Sequence, residues 1–272
     1  MTIKILIDNH AEPPLVAEWG FSAYIEYADR HLLLDTGGSG KFLQNAELLG
    51  VNIGNVEFGI LSHAHYDHSD GMETFFEHNA SSVFYLRRSC GENCYSGKKH
   101  LIPRYIGIKR GLLDKYDSRI FYVSGDFEII PGAMLIPHKT PNLESIGKKS
   151  KMYISRHGRR RFDDFSHEQS LVLDTPSGLV ILNSCCHAGA DNIINEIRQT
   201  YPNKSIYALV GGLHTHASSP SDVRKLASGI FDTGIKHVYT GHCTGEPAMI
   251  ILKEVLGNKI EQFYSGMEIS IP

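Results

Sequence analysis

Ser62-His63-Ala64-His65-Tyr66-Asp67-His68 follows directly on an apolar run over residues 56–61. That run reads as a buried strand. Two histidines at i and i+2 on an extended segment point to the same side. The loop then turns and offers Asp67 and His68. Imidazole and carboxylate donors together suit borderline divalent metals, zinc first, with manganese, iron or magnesium as alternatives. The stretch therefore predicts a metal-binding loop at a strand end, with His63, His65, Asp67 and His68 as ligands.

Outward from this loop, residues 3–7 read as a strand, and residues 23–27 and 31–35 as a hairpin. Residues 42–49 make a short helix ended by Gly50, residues 70–78 a helix, and residues 82–86 a strand. Residues 120–123 and 133–136 are short β-like pieces, whereas 148–161 reads as an exposed loop or insertion. Order returns at residues 171–174 and 179–182, which flank Thr175-Pro176-Ser177-Gly178, a turn in which Pro presets one φ and Gly permits a positive one. Helices over 191–201, 221–231 and 246–256 then alternate with strands over 205–210, 237–240 and 260–264. This pattern says α/β, with mixed sheets and helices outside.

With these elements in place, His-x-His-x-Asp-His after a buried strand resembles the metallo-β-lactamase superfamily. Leu33-Leu34-Asp35-Thr36-Gly37 looks like that family's early Asp-Thr-Gly strand end, Cys185-Cys186-His187-Ala188-Gly189 like the element supplying the metal-bridging ligand, and Gly241-His242-Cys243-Thr244-Gly245 like the element supplying the last histidine. The resemblance implies one domain over residues 1–272, a four-layered αββα sandwich of two mixed sheets, with two divalent metals at one edge. His63 and His65 would hold one metal; Asp67, His68 and His242 the other; Asp35 would support the loop. His187, or else Cys185, would sit on the bridging side, with His187 expected because the matching position in the family is histidine. For a third histidine on the first metal, His138 and His167 are the candidates. Gly211-Gly212-Leu213-His214 places His214 after an apolar strand, where α/β sites collect, as a general acid or base or a substrate contact. Taken together, these motifs are similar to the branch containing the dihydropterin–ribofuranosylaminobenzene 5′-phosphate synthases, many members of which are unassigned metallo-hydrolases.

Composition narrows the rest. The 272 residues are 42% hydrophobic and 21% charged, ordinary for a globular chain, and no apolar run is long enough to span a bilayer. No membrane association is expected. The net charge of −3 hides a basic insertion around residues 98–161, with 15 Lys+Arg against 5 Asp+Glu. Its arginines, above all Arg159, Arg160 and Arg161, predict contact with an anionic, phosphorylated small molecule. Nucleic acid is not expected, because aromatic residues do not interleave the charges. Five cysteines with one adjacent pair make a poor disulfide framework, and the N-terminal stretch reads as a strand rather than a signal peptide. Both suit the cytoplasm. Homodimerisation is compatible with the sequence but not specified by it. Gly-x-Ser-x-Gly is absent, which argues against a serine hydrolase.

The leading expectation is thus a metal-dependent hydrolase whose metal pair activates water against an anionic substrate, with Asp67 and His214 at the reacting centre. A pterin-transferring synthase, in which the metals anchor a pyrophosphate leaving group, is the alternative. A non-catalytic ligand-binding protein on the same fold is a third.

Overall fold

The computed structural model describes residues 1–97 and 102–272; Lys98 and Lys99 of the basic insertion lie outside them. Alternating apolar residues make two large sheets. In the first, β1 (Thr2–Ile7), β2 (Ser22–Tyr27), β3 (Arg30–Leu34), β4 (Phe58–Ile60), β5 (Val83–Arg87), β8 (Ile120–Val123) and β18 (Glu268–Ser270) lie in the order β18-β1-β2-β3-β4-β5-β8. In the second, β9 (Phe127–Ile130), β10 (Ala133–Pro137), β13 (Gln169–Thr175), β14 (Gly178–Leu182), β15 (Ile206–Val210), β16 (His237–Thr240) and β17 (Ile260–Gln262) run β17-β16-β15-β14-β13-β10-β9. Both sheets are mixed: β3, β4, β5 and β8 are parallel, as are β14 to β17.

The period of two decides which layer each side chain enters. On β14, Val180 and Leu182 pack between the sheets with Ile3, Ile25 and Leu34, whereas Leu179 and Ile181 face outward. There they meet α6 (Ala190–Thr200), α7 (Pro220–Asp232) and α8 (Glu246–Leu256). The outer face of the first sheet is covered by α1 (Lys41–Leu48), α3 (Met72–His78) and α4 (Leu112–Lys115), through Phe42, Phe75 and Leu112. The result is a four-layered αββα sandwich, as the motifs implied. No helix among the described residues is long and apolar enough to cross a membrane.

Two local expectations are corrected. Residues 70–78 do not form one helix: α2 (Tyr66–Ser69) ends at Asp70, and α3 begins after Gly71. Gly71 is required because a Cβ there would collide with the carbonyl oxygens of Thr36 and Ser39. Residues 148–161 are not a loop. They hold the end of α5 (Glu144–Ser150) and the hairpin β11 (Met152–Arg156) and β12 (Arg159–Phe162), part of a small sheet with β6 (Cys94–Ser96) and β7 (Arg104–Tyr105) ordered β12-β11-β6-β7. Met152 and Ile154 supply the buried face, and His157 and Gly158, both at positive φ, form the two-residue turn. The density of basic residues masked this alternation.

Candidate metal centre

The site lies where β3, β4, β14, β15 and β16 deliver their C-terminal loops to one edge of the sandwich. Asp35 stands at the end of β3 with φ +59° and is fully buried. Its Oδ1 accepts the Ser62 backbone N–H at 2.7 Å; its Oδ2 accepts the Ser62 hydroxyl at 2.6 Å and His68 Nδ1 at 2.7 Å. Because the Ser62 hydroxyl donates to Asp35, it accepts from His63 Nδ1 at 2.8 Å. One carboxylate thus assigns both tautomers, and the Nε2 atoms of His63 and His68 are left for the centre. The loop runs extended through His65, whose φ of −94° and ψ of 148° lead into α2, so Asp67 and His68 enter from its first turn.

Two groups of donors result. His63, His65 and His187 form a triangle with ring centroids 4.6, 4.9 and 4.9 Å apart. In the other group, His242 Nε2 lies 3.2 Å from His68 Nε2 and 3.5 Å from Asp67 Oδ2. Cys185 joins them: its sulfur is 3.3 Å from His68 Nε2, and its donor atom falls within 4.8 Å of those of His63 and His187 and of those of His68 and His242. Sequence motifs separated by more than a hundred residues therefore converge. Cys185 and His187 both reach the centre from the loop after β14. His187 stands with His63 and His65, in the place for which His138 and His167 were candidates.

Both of those histidines have acidic partners, and the donor atoms of His167, Asp163, Cys94 and His65 lie within 4.8 Å of one another in a second buried group. His138 Nε2 pairs with Glu168 at 2.5 Å and its Nδ1 with Glu196 at 3.2 Å. His167 Nε2 pairs with Asp163 at 3.1 Å while its Nδ1 accepts the Ala64 N–H at 3.2 Å. His214, at φ +51°, brings its ring to 4.3 Å from that of His187. Arg159, Arg160 and Arg161 lie on exposed β12; Arg160 and Arg161 line a groove with Lys148 and Phe162, and Arg160 sits 4.5 Å over the Tyr95 ring. A different cleft, of about 400 Å³, opens onto His187 and His214, and the basic side chains lining it are Lys149 and Lys225.

Several residues escaped sequence reasoning. Trp19 packs at 5.2 Å from the His242 ring and hydrogen-bonds the Asp67 carboxylate. Asp8 accepts the His242 backbone N–H at 2.6 Å, and Asn9 Oδ1 lies 3.2 Å from His242 Nδ1. Phe165 stacks on His187 at 4.8 Å. Asp8, at the end of the first strand, occupies a position like that of Asp35 and is the only one of these with a signal in the sequence.

Among the described residues, His63 Nε2, His65 Nε2 and both ring nitrogens of His187 are buried with no hydrogen-bond partner. Burying polar atoms in this way is costly unless something binds them. Burial pushes the pKa of His63, His187 and His242 well below the usual imidazole range, and that of His65 down to about 3, with neighbouring histidines adding to the effect. Neutral imidazoles facing one another around a thiol and a carboxylate are a donor set that fits divalent metal.

Residues 20–142 match the family model of the metallo-β-lactamase superfamily. Tm1679, a metal-dependent hydrolase of the β-lactamase superfamily, superposes with a TM-score of 0.83 at 31% identity, over 100% of this chain and 99% of that one. The chain belongs to the metallo-β-lactamase superfamily. Two proteins of Methanocaldococcus jannaschii are also similar to this superfamily member. One is a 7,8-dihydropterin-6-methyl-4-(β-D-ribofuranosyl)-aminobenzene-5′-phosphate synthase, 23% identical over 97% of this chain and 94% of its own length. The other is an uncharacterized protein, 26% identical over 93% and 94%. The metallo-β-lactamase superfamily typically binds divalent metals, and the clustered His, Cys and Asp side chains of this member would accept them.

Proposed function

We propose that the protein is a metal-dependent hydrolase with a dinuclear centre acting on an anionic, phosphorylated small molecule. The observation that carries this reading is the buried triangle of His63, His65 and His187, with His63 Nε2, His65 Nε2 and both His187 ring nitrogens lacking hydrogen-bond partners among the described residues, beside the second donor group of Asp67, His68 and His242. His63, His65 and His187 would hold one ion, Asp67, His68 and His242 the other, and Cys185 would lie between them. When bound, the two ions supply Lewis acidity toward water and toward a carbonyl or phosphoryl oxygen of the substrate.

The remaining steps belong to side chains. Asp35 keeps the His68 and His63 rings oriented through direct and Ser62-relayed hydrogen bonds. Asp67, held by Trp19, accepts a proton at the reacting centre. His214 stands at the cleft side of His187, where it can donate a proton to a leaving group. Lys149, from the basic insertion, and Lys225 line the same cleft and would meet the substrate's negative charge. The groove of Arg160 and Arg161 is bordered by Glu144, Ser145 and Lys148 of α5, whereas Ile146, Lys149 and Ser150 of that helix border the His187 cleft. The anion contact within the His187 cleft itself is therefore assigned to Lys149 and Lys225 rather than to the arginine run.

Similarity to the synthase supports a second reading, in which the metals anchor a pyrophosphate leaving group and a pterin is transferred. Metal analysis of purified protein should approach two equivalents of divalent ion, with zinc expected, and His65→Ala and Asp67→Ala should each lower occupancy. Full occupancy in both variants would sink the assignment. Incubation with phosphoesters and lactones, and separately with a pterin pyrophosphate and an aryl acceptor, decides between hydrolysis and transfer.

A further inference from the structure

A second polar cleft opens on the same edge of the sandwich, away from the metal-site donors. Its volume is about 480 Å³, and its lining includes Arg87, Arg88, Ser124, His138, Arg156 and Ser166. Arg87 ends β5, Ser124 follows β8, His138 follows β10 and Arg156 ends β11. Both large sheets and the small one therefore contribute. Residues of the 163–167 segment separate this cleft from the metal centre: Ser166 faces the cleft, and His167, next in the chain, has its ring 5.4 Å from that of His65.

Arg87 is the unusual member. It is only 6% exposed, and its guanidinium hydrogen-bonds one backbone acceptor, Gly125 O, at 2.8 Å. Among the described residues no carboxylate lies within the 4.0 Å of an ion pair. A buried guanidinium normally finds a counter-charge, because desolvating it alone is costly. Asp126, the acid that acts on it through space, is bound by Lys139 at 2.9 Å. Arg88 Nε donates to the Ser124 hydroxyl at 3.1 Å, and Arg156 spans Asp164, at 3.3 and 3.4 Å, and the Ser166 hydroxyl, at 2.5 Å. His138 is held between Glu168 and Glu196. The cleft thus gathers three guanidinium groups against one contacting carboxylate, Asp164.

We propose that this cleft is a binding site for a phosphoryl group. Guanidinium groups approaching from different strands, with serine hydroxyls between them, match a tetrahedral oxyanion, whose acceptor oxygens point in several directions. The phosphoryl group comes either from free phosphate or from the end of a larger phosphorylated substrate. Its charge neutralises Arg87.

The test uses the metal-loaded full-length chain, inorganic phosphate and the arginine reagent phenylglyoxal, with modification mapped by peptide mass spectrometry. Phosphate should slow modification of Arg88 and Arg156 while leaving the exposed Arg159, Arg160 and Arg161 reacting at their original rate. Protection should persist after chelation. Equal rates with and without phosphate, equal protection of the β12 arginines, or protection that disappears with the metals would each overturn the proposal. Arg87→Ala risks misfolding, so the variants are Arg88→Gln and Arg156→Gln. Each should weaken phosphate binding by about tenfold in calorimetry, the loss expected for one charge-assisted hydrogen bond, and unchanged affinity in both would overturn it too. A raised KM for a phosphomonoester substrate in Arg88→Gln identifies the substrate's own phosphoryl end as the occupant; an unchanged KM with weakened phosphate binding identifies free phosphate.

Discussion

Asp35 organises much of the centre without facing it. Its carboxylate receives Ser62 twice and His68 once, so its removal frees two histidine rings together. Asp35→Asn is isosteric but brings an amide N–H toward groups that are already donors. We expect Asp35→Asn to weaken metal affinity by about 10–100-fold, the range typical of such outer partners, in a chelator competition assay; wild-type affinity would show that the loop holds its histidines unaided. Cys185 and His187 pose a different question, since both face the centre. His187→Ala takes an imidazole from the His63–His65 group and puts no donor in its place, whereas Cys185→Ser keeps a weak oxygen donor. His187→Ala should therefore cost more bound metal and more activity than Cys185→Ser. The reverse order in metal analysis would mean that the thiolate holds the centre together.

Between elements, the close approach of loops matters most. Gly211 follows β15 at φ +150°, and a Cβ there would collide with the Asn183 carbonyl at the end of β14. That contact brings the loops carrying Cys185, His187 and His214 side by side. Gly211→Ala should cost about 2 kcal/mol or more, from backbone strain and overpacking together, measured as a lower urea midpoint at unchanged slope. The same substitution should reduce metal content, because the two loops must part. A variant with wild-type midpoint would mean that the strands absorb the methyl group elsewhere.

Across the whole molecule, the two sheets meet through apolar rows that leave little room for charge, yet the side chains of His138, Glu168 and Glu196 are buried together at one margin. Burial alone lowers the His138 pKa, but the two glutamates outweigh it and hold the imidazole up to about 9. An imidazole raised in the folded state stabilises fully below its ordinary pKa of about 6.5 and loses that contribution as pH rises through the folded value. Chelator-treated protein should therefore lose up to about 3 kcal/mol of stability between about pH 6.5 and 9. His138→Gln should flatten this slope. A wild-type protein equally stable across that range in denaturant titrations would contradict the pairing.

Periodicity and local chemistry were enough to read the helices after residue 190, the strands around them, and the metal loop at His63 to His68, because each signal lies within a few residues. Local patterns alone gave α/β with mixed sheets; the αββα sandwich was implied by the resemblance of the motifs to the metallo-β-lactamase superfamily. The small sheet was not legible: basic side chains of the β11–β12 hairpin hid the alternation of Met152 and Ile154, and β6 and β7 become strands only by pairing in that sheet. Nor could sequence decide which histidine joins His63 and His65. His138, His167 and His187 all lie near strand ends, and their chemistry is the same. Acidic partners pair with the first two, Glu168 and Glu196 with His138 and Asp163 with His167, while neither ring nitrogen of His187, stacked on Phe165, has a hydrogen-bond partner among the described residues. Residue type and local pattern determine which donors exist; only the packing of loops from both sheets decides which of them are left without a partner at the centre.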